Sequence, residues 1–248
     1  MNKTQEFQKE CARRIEEYTR DVNFQAISRL WLEESMRKGY PYNFSWMGRP
    51  IIQNPVDMIA MQEILWRVQP DLVVETGVAH GGSLIYYASI LALNEASGGP
   101  QDARVMGIDI DIREYNRQEI ENHPMFPRIT LFQGSSIEQT TINYVHNFAQ
   151  NFKKILLVLD SNHTHQHVLD ELKAYASLVS TGSYCVVFDT HVEYFTYADR
   201  PWGKGDNPMT AVDAFLKEHP EFEIDEMMDA KLMISVAPRG YLRKKELS

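Results

Sequence analysis

The sequence predicts an α/β protein built on a doubly wound, mostly parallel sheet of seven strands, preceded by a helical extension. Three observations carry this. Short apolar runs alternate with helical segments from Leu72 onward, and that alternation implies a parallel sheet with helices on both faces. A glycine-rich turn, Gly77-Val78-Ala79-His80-Gly81-Gly82, follows the first run. An acid or a Gly/Ser turn follows each of the five runs that alternate with helices, which is where such sheets place their ligands.

The elements follow in order. Residues 5–37 read as helix, because Phe7, Cys11, Ile15 and Tyr18 recur at helical spacing among Glu, Arg and Lys. Residues 39–55, GYPYNFSWMGRPIIQNP, predict an ordered loop, since Trp46 and the tyrosines have apolar area to bury. Asn54-Pro55 opens a helix with Met58, Met61, Ile64 and Leu65 on one face. Strands are expected at 72–74, 104–108, 128–132, 155–159 and 183–188, with helices clearest at 83–96 and 168–178. A helix at 210–218 precedes strands at 222–225 and 232–236, whose short link predicts a hairpin. The chain thus divides into residues 1–54, a helical extension and aromatic loop, and residues 55–248, the ligand-binding domain.

Composition narrows the function classes. The 248 residues are 44% hydrophobic and 24% charged, enough to bury a core and too apolar for wholesale disorder. A net charge of −9 argues against a general nucleic-acid binder. No apolar run approaches the roughly 18 residues that a spanning helix needs. The polar start MNKTQEFQKE has no apolar signal core, and two cysteines, Cys11 and Cys185, suggest neither a disulfide framework nor a zinc cluster. A cytoplasmic location is the expectation.

The strand ends carry the chemistry. After the first strand, Glu75 precedes a Gly-x-x-x-Gly-Gly turn and Ser83. The spacing is neither a dinucleotide fingerprint nor a phosphate loop. Alone it is a tight strand-to-helix turn. Beside Glu75 it suits a cationic or amine-bearing ligand, because an acid there repels pyrophosphate. After the second strand stands Asp109, placed to accept hydrogen bonds from a ribose diol, or else a solvated loop acid. Ser135 and Ser136 follow the third; they offer hydroxyls near a purine ring or cap the next helix. Asp160 and His163 follow the fourth. The acid is a hard ligand suited to Mg²⁺ or Mn²⁺, and the imidazole can act as a general base. His165 and His167, at the start of the next helix, read as bystanders. Asp189 follows the fifth strand. If the fourth and fifth strands are neighbours, Asp160 and Asp189 converge, and two convergent carboxylates repel unless a cation or a proton lies between them.

The segments VVETGVAHGGSL, GIDIDIR, LDSNHTHQHV and VVFDT resemble the cephalosporin hydroxylase-like (CmcI) family, from about Trp46 to Leu242. That resemblance implies a Rossmann-like class I methyltransferase fold and S-adenosylmethionine as cofactor. Glu75, Gly77, Gly81, Gly82 and Ser83 would surround its methionine part, Asp109 its ribose and Ser135 its adenine, with Asp160 also close. The Asp-x-x-His segment is similar to that of Mg²⁺-dependent macrolide-sugar O-methyltransferases, which implies a metal on Asp160 and Asp189 and His163 as base for a sugar hydroxyl. Those relatives carry a Glu-Asp pair where this chain has Phe188-Asp189, so the metal site is short of one acid unless waters, the acceptor or Glu193 complete it. The 39–55 loop and the 194–207 segment, with Arg200, Trp202 and Lys204, would form the acceptor lobe. The resemblance also implies a homo-oligomer. Two other classes stay open: a metal-dependent hydroxylase on His163, His191 and Asp160, and a non-catalytic S-adenosylmethionine-binding partner.

Overall fold

The computed structural model describes residues 2–195 and 200–246. The N-terminal preface is two helices rather than one, α1 (Lys3–Tyr18) and α2 (Val22–Arg37). The break comes from Asp21, whose side chain accepts the Phe24 N–H and starts a new helix. The aromatic loop is also more ordered than expected. A single 3₁₀ turn, Tyr40–Asn43, leads into a hairpin of β1 (Phe44–Trp46) and β2 (Arg49–Ile51). Its two-residue turn, Met47-Gly48, has φ of 46° and 87°, the left-handed pair that a tight hairpin favours.

The body follows as α3 (Pro55–Val68), β3 (Leu72–Thr76), α4 (Gly82–Ala96), β4 (Arg104–Asp109), α5 (Glu114–Glu121), β5 (Ile129–Gln133), α6 (Gln139–Ala149), β6 (Ile155–Leu159), α7 (His165–Tyr175), β7 (Tyr184–Val187), α8 (Pro208–Glu218), β8 (Phe222–Ile224), α9 (Glu226–Leu232) and β9 (Tyr241–Lys244). The sheet has seven strands in the order β5-β4-β3-β6-β7-β9-β8. Only β9 runs against its neighbours. β3 and β6 are buried at every position, as central parallel strands covered on both faces must be. Val73, Val105, Leu156 and Val158 face one apolar layer with α3 and α4. Leu72, Val74, Met106 and Leu157 face the other, with α6, α7 and α8.

One expectation is overturned. Residues 232–236 are not a strand; β8 pairs instead with β9. Asp225 accepts the Met228 N–H and caps α9. Asp57 on α3 then takes the next residues: it accepts Ser235 Oγ at 2.6 Å and the Val236 N–H at 2.9 Å. Tyr241 Oη donates to the same carboxyl at 2.7 Å. Burial pushes the Asp57 carboxyl up to about 6. Leu232 and Val236 still bury their side chains, so the apolar alternation is real without a ladder.

The strand order reverses between β3 and β6, which pair directly, while α4 leads from β3 to β4 on one side. A crevice therefore opens at the carboxyl ends of these two strands.

Candidate active site

Gly77 sets the geometry of the crevice. Its φ is +93°, and a Cβ there would lie 2.0 Å from the Asp160 carbonyl oxygen. Only glycine lets the end of β3 approach the end of β6 this closely. Gly82 serves the hairpin in the same way: a Cβ would lie 2.2 Å from the Pro50 carbonyl oxygen. Gly81 faces the Ile120 side chain. These three glycines make room for the chain itself, and the cleft is what lies beyond them. Ala79, at φ 46°, is a left-handed non-glycine residue in the same turn and lines every cleft around it.

Glu75 lies inside β3 with no exposed surface, and its Oε2 accepts Ser83 Oγ at 2.6 Å. Burial pushes its carboxyl up to about 8, so it is neutral near pH 7. Its contact with the crevice lining runs through Ser83. Asp109 fastens the turn: Oδ2 accepts the Val78 N–H at 2.8 Å, and Oδ1 accepts the Asp111 N–H at 3.0 Å. It also borders a cleft of about 400 Å³ shared with Ser135, Ser136, Ile137, Asp160, Asn162 and His167. His167 lines this cleft, and its Nε2 lies 3.2 Å from both Ser136 Oγ and Ser161 Oγ. His165 is structural, with its N–H on Asp206 and its ring against Thr210 Oγ1 at 2.8 Å.

On the other side of Gly77, a cleft of about 240 Å³ holds Asp160, His163 and Asp189 together with Gln53, Asn54 and Phe188. β6 and β7 are adjacent, so the two acids do converge. Asp160, His163 and Asp189 each offer one ligand atom, all within 4.8 Å of one another. His163 Nε2 lies 3.3 Å from Asp189 Oδ2, and the ring meets Trp202 edge-on at 4.8 Å between centroids. Asp189 stands at φ 56°, a left-handed turn that swings its carboxylate away from the strand line. His191, almost wholly buried, lies 3.0 Å from the Val236 carbonyl and 3.5 Å from Asp189 Oδ1 through Nδ1. Burial lowers its proton affinity.

Burial, and then the charge of Asp189, hold the Asp160 carboxyl well above its usual range. A divalent cation between the acids would relieve that repulsion, and the two carboxylates suit Mg²⁺ or Mn²⁺, with the imidazole beside them left for proton transfer. The residues present therefore fit a metal. Phe188 is 2% exposed and packs in the core, so nothing at that position replaces the missing acid. Glu193 does not complete the set either: its Oε2 accepts the Gly205 N–H at 2.9 Å and Asn207 Nδ2 at 2.6 Å, which fastens the loop before α8. Among the described residues, the metal-competent group is one histidine with two acids, not the two histidines and one acid of an iron hydroxylase. In the expected 194–207 acceptor segment, residues 196–199 lie outside the described residues, and Arg200 stacks over Trp202 at 5.5 Å.

Three residues of this site escape a reading of strand ends. Gln53 and Asn54 come from the segment after the hairpin, and Trp202 comes from the loop before α8. The only sequence signal was their place in the two aromatic loops assigned to the acceptor.

The family model described as Rhamnosyl O-methyltransferase/CmcI matches residues 38–245. The rhamnosyl O-methyltransferase of Mycobacterium leprae (strain TN) is 28% identical over 221 residues, 86% of this chain and 91% of that one. That of Mycobacterium bovis (strain BCG / Pasteur 1173P2) is 29% identical over 216 residues, covering 84% and 83%. The apo structure of CmcI superposes with a TM-score of 0.58 at 21% identity, covering 83% of this chain and 78% of that one. CmcI with Mg and S-adenosylmethionine gives 0.56 at 21% identity and the same coverage. These superpositions establish the fold. The family match spans the hairpin, the glycine turn and all seven strands of the sheet, so this chain belongs to the rhamnosyl O-methyltransferase/CmcI family.

Proposed function

We propose that this chain is an S-adenosylmethionine-dependent O-methyltransferase acting on a sugar hydroxyl, with a rhamnosyl-type deoxysugar as the first acceptor to test. The observation that carries the reading is the Asp160, His163 and Asp189 cluster beside the glycine turn, at the switch point of the sheet. The cofactor supplies a methyl carbon on a positively charged sulfur. The 400 Å³ cleft offers it an adenine end between Ile137 and Ser135, and a ribose side at Asp109. Gly77, Gly82 and Ser83 border the recess for the methionine part, with Gly81 behind them and neutral Glu75 held through Ser83.

Asp160 and Asp189 would hold a divalent ion, whose positive charge would offset the two acids and polarise the acceptor hydroxyl. His163 takes the hydroxyl proton as the acceptor oxygen forms its bond to the methyl carbon and the carbon–sulfur bond breaks. Asp189, 3.3 Å from Nε2, holds that ring in place, and Trp202 limits its rotation from the side. Alignment of oxygen, methyl and sulfur accounts for much of the acceleration.

Partner and location belong to the same reading. Val22, Ile27 and Leu30 leave α2 with an exposed apolar face, which a second copy of the chain would cover. Two free cysteines suit a reducing cytoplasm.

The test is transfer of a labelled methyl group to rhamnosylated acceptors, with and without EDTA. Loss of transfer on chelation and its return with Mg²⁺ or Mn²⁺ are expected. Chelator-resistant transfer would remove the metal role. Transfer by His163→Ala at the wild-type rate would remove the base.

A further inference from the structure

Gln53 and Asn54 each leave one amide oxygen of the crevice without a partner among the described residues, and Gln53 is the one of the two that also borders the glycine turn. It is 6% exposed, and its Nε2 donates to Asp160 Oδ2 at 3.1 Å. Its Oε1 is buried and has no hydrogen-bond partner among the described residues. A buried amide oxygen left unpaired costs stability comparable to a lost hydrogen bond, so its retention calls for a donor that arrives later. Reversing the amide would turn Oε1 toward the ionised Asp160 carboxylate that a bound metal requires, so Nε2 on Asp160 is the orientation that fits the metal.

Its position identifies the donor. Gln53 lines both the acid cleft and a recess of about 40 Å³ between Pro50, Ile52 and the turn from Gly77 to Ser83. That recess has room for one water-sized group. On the methyl-transfer reading, the methionine part of the cofactor lies against this turn and brings an ammonium. Glu75 is wholly buried and its Oε2 is taken by Ser83, so Gln53 is the acceptor at the edge of the recess itself.

We propose that Gln53 is a positioning residue that couples cofactor and metal: its Oε1 accepts the cofactor's ammonium while its Nε2 fixes the Asp160 carboxylate for the metal. The inference rests on the methyl-transfer reading and assigns the chain's own amide a task in it. Each ligand then prepares the amide for the other, so the two bind cooperatively.

The test is titration calorimetry of S-adenosylmethionine with and without Mn²⁺, with Mn²⁺ affinity read separately by electron paramagnetic resonance. In the wild type, each ligand is expected to tighten the other. In Gln53→Leu, which keeps the packing and removes both polar atoms, each affinity is expected to fall about tenfold and the mutual tightening to vanish. Gln53→Glu keeps an acceptor but removes the Nε2 donor to Asp160, so it should retain cofactor affinity and lose the mutual tightening. Unchanged cooperativity in Gln53→Leu would overturn the proposal and leave the methyl-transfer reading standing. A wild type that binds no S-adenosylmethionine would overturn both. Equal thermal midpoints of wild type and variant without ligands exclude misfolding as the cause.

Discussion

Asp57, in the seam between α3 and the C-terminal tail, and Asp160, at the mouth of the crevice, are both carboxyls pushed above their ordinary range by burial. Around Asp57 the chain supplies three donors, Ser235 Oγ, the Val236 N–H and Tyr241 Oη. Around Asp160 the described residues outside the acid pair supply Gln53 Nε2, and Asp189 lies beside it. The first carboxyl is satisfied by the protein and holds the tail in place. The second has little to stabilise its charged form and a second acid beside it, so ionising both acids calls for a cation. The difference teaches that burial alone does not mark a functional acid; the deficit of donors around it does.

The largest expected effect breaks the crevice side. Asp160→Asn keeps the shape and removes the charge. Transfer should fall about 10²–10³-fold, in the range seen when one electrostatic contact at a reacting centre is lost. The thermal midpoint should hold or rise, because repulsion with Asp189 is relieved. A fall in stability as large as that from a core mutation would show that Asp160 serves the fold instead.

The next effect falls on the seam. Asp57→Ala leaves three buried donors without an acceptor and should cost about 3 kcal/mol in a denaturant titration. The methyl-transfer rate per folded molecule should stay near wild type. If activity of the folded fraction drops with stability, the seam and the crevice are one unit and the comparison fails.

How much of this contrast the sequence held depends on chain distance. β3 and β6 were legible because strands buried on both faces read as unbroken apolar runs. Asp160 and Asp189 were legible because topology alone brings the ends of neighbouring parallel strands together. Asp57 was not, since Ser235 lies 178 residues away and nothing local distinguishes that acid from any other on a helix's first turn. Gln53 escaped for the same reason, at 107 residues from Asp160. The misplaced strand at 232–236 belongs with these. Its alternation signalled burial correctly, but the partner of its backbone is the Asp57 side chain and not a neighbouring strand. The N-terminal preface read as one helix because its apolar spacing runs on; the break at Asp21 is a capping event, which periodicity does not register.

The smallest effect sharpens the seam by pH. The Asp57 carboxyl takes up its proton near pH 6 in the folded chain and near 3.8 in the unfolded one. Between those values the folded chain holds a proton that the unfolded chain has lost. Its contribution is therefore fully present below about pH 3.8 and is lost as pH rises through about 6, with a slope of at most about 1.4 kcal/mol per pH unit. Asp229, also pushed up to about 6, Glu75, pushed up to about 8, and Asp160, held well above its usual range, add slopes of the same sign. The wild-type curve alone thus cannot be assigned to one group, and the difference between wild type and Asp57→Asn is the informative quantity. Subtracting the two stability curves, measured by denaturant titration from pH 4 to 7, should leave a fall confined to the window between about 4 and 6. A flat difference would mean that the three donors hold Asp57 ionised throughout, and that the seam resembles a fixed charge more than a buried acid.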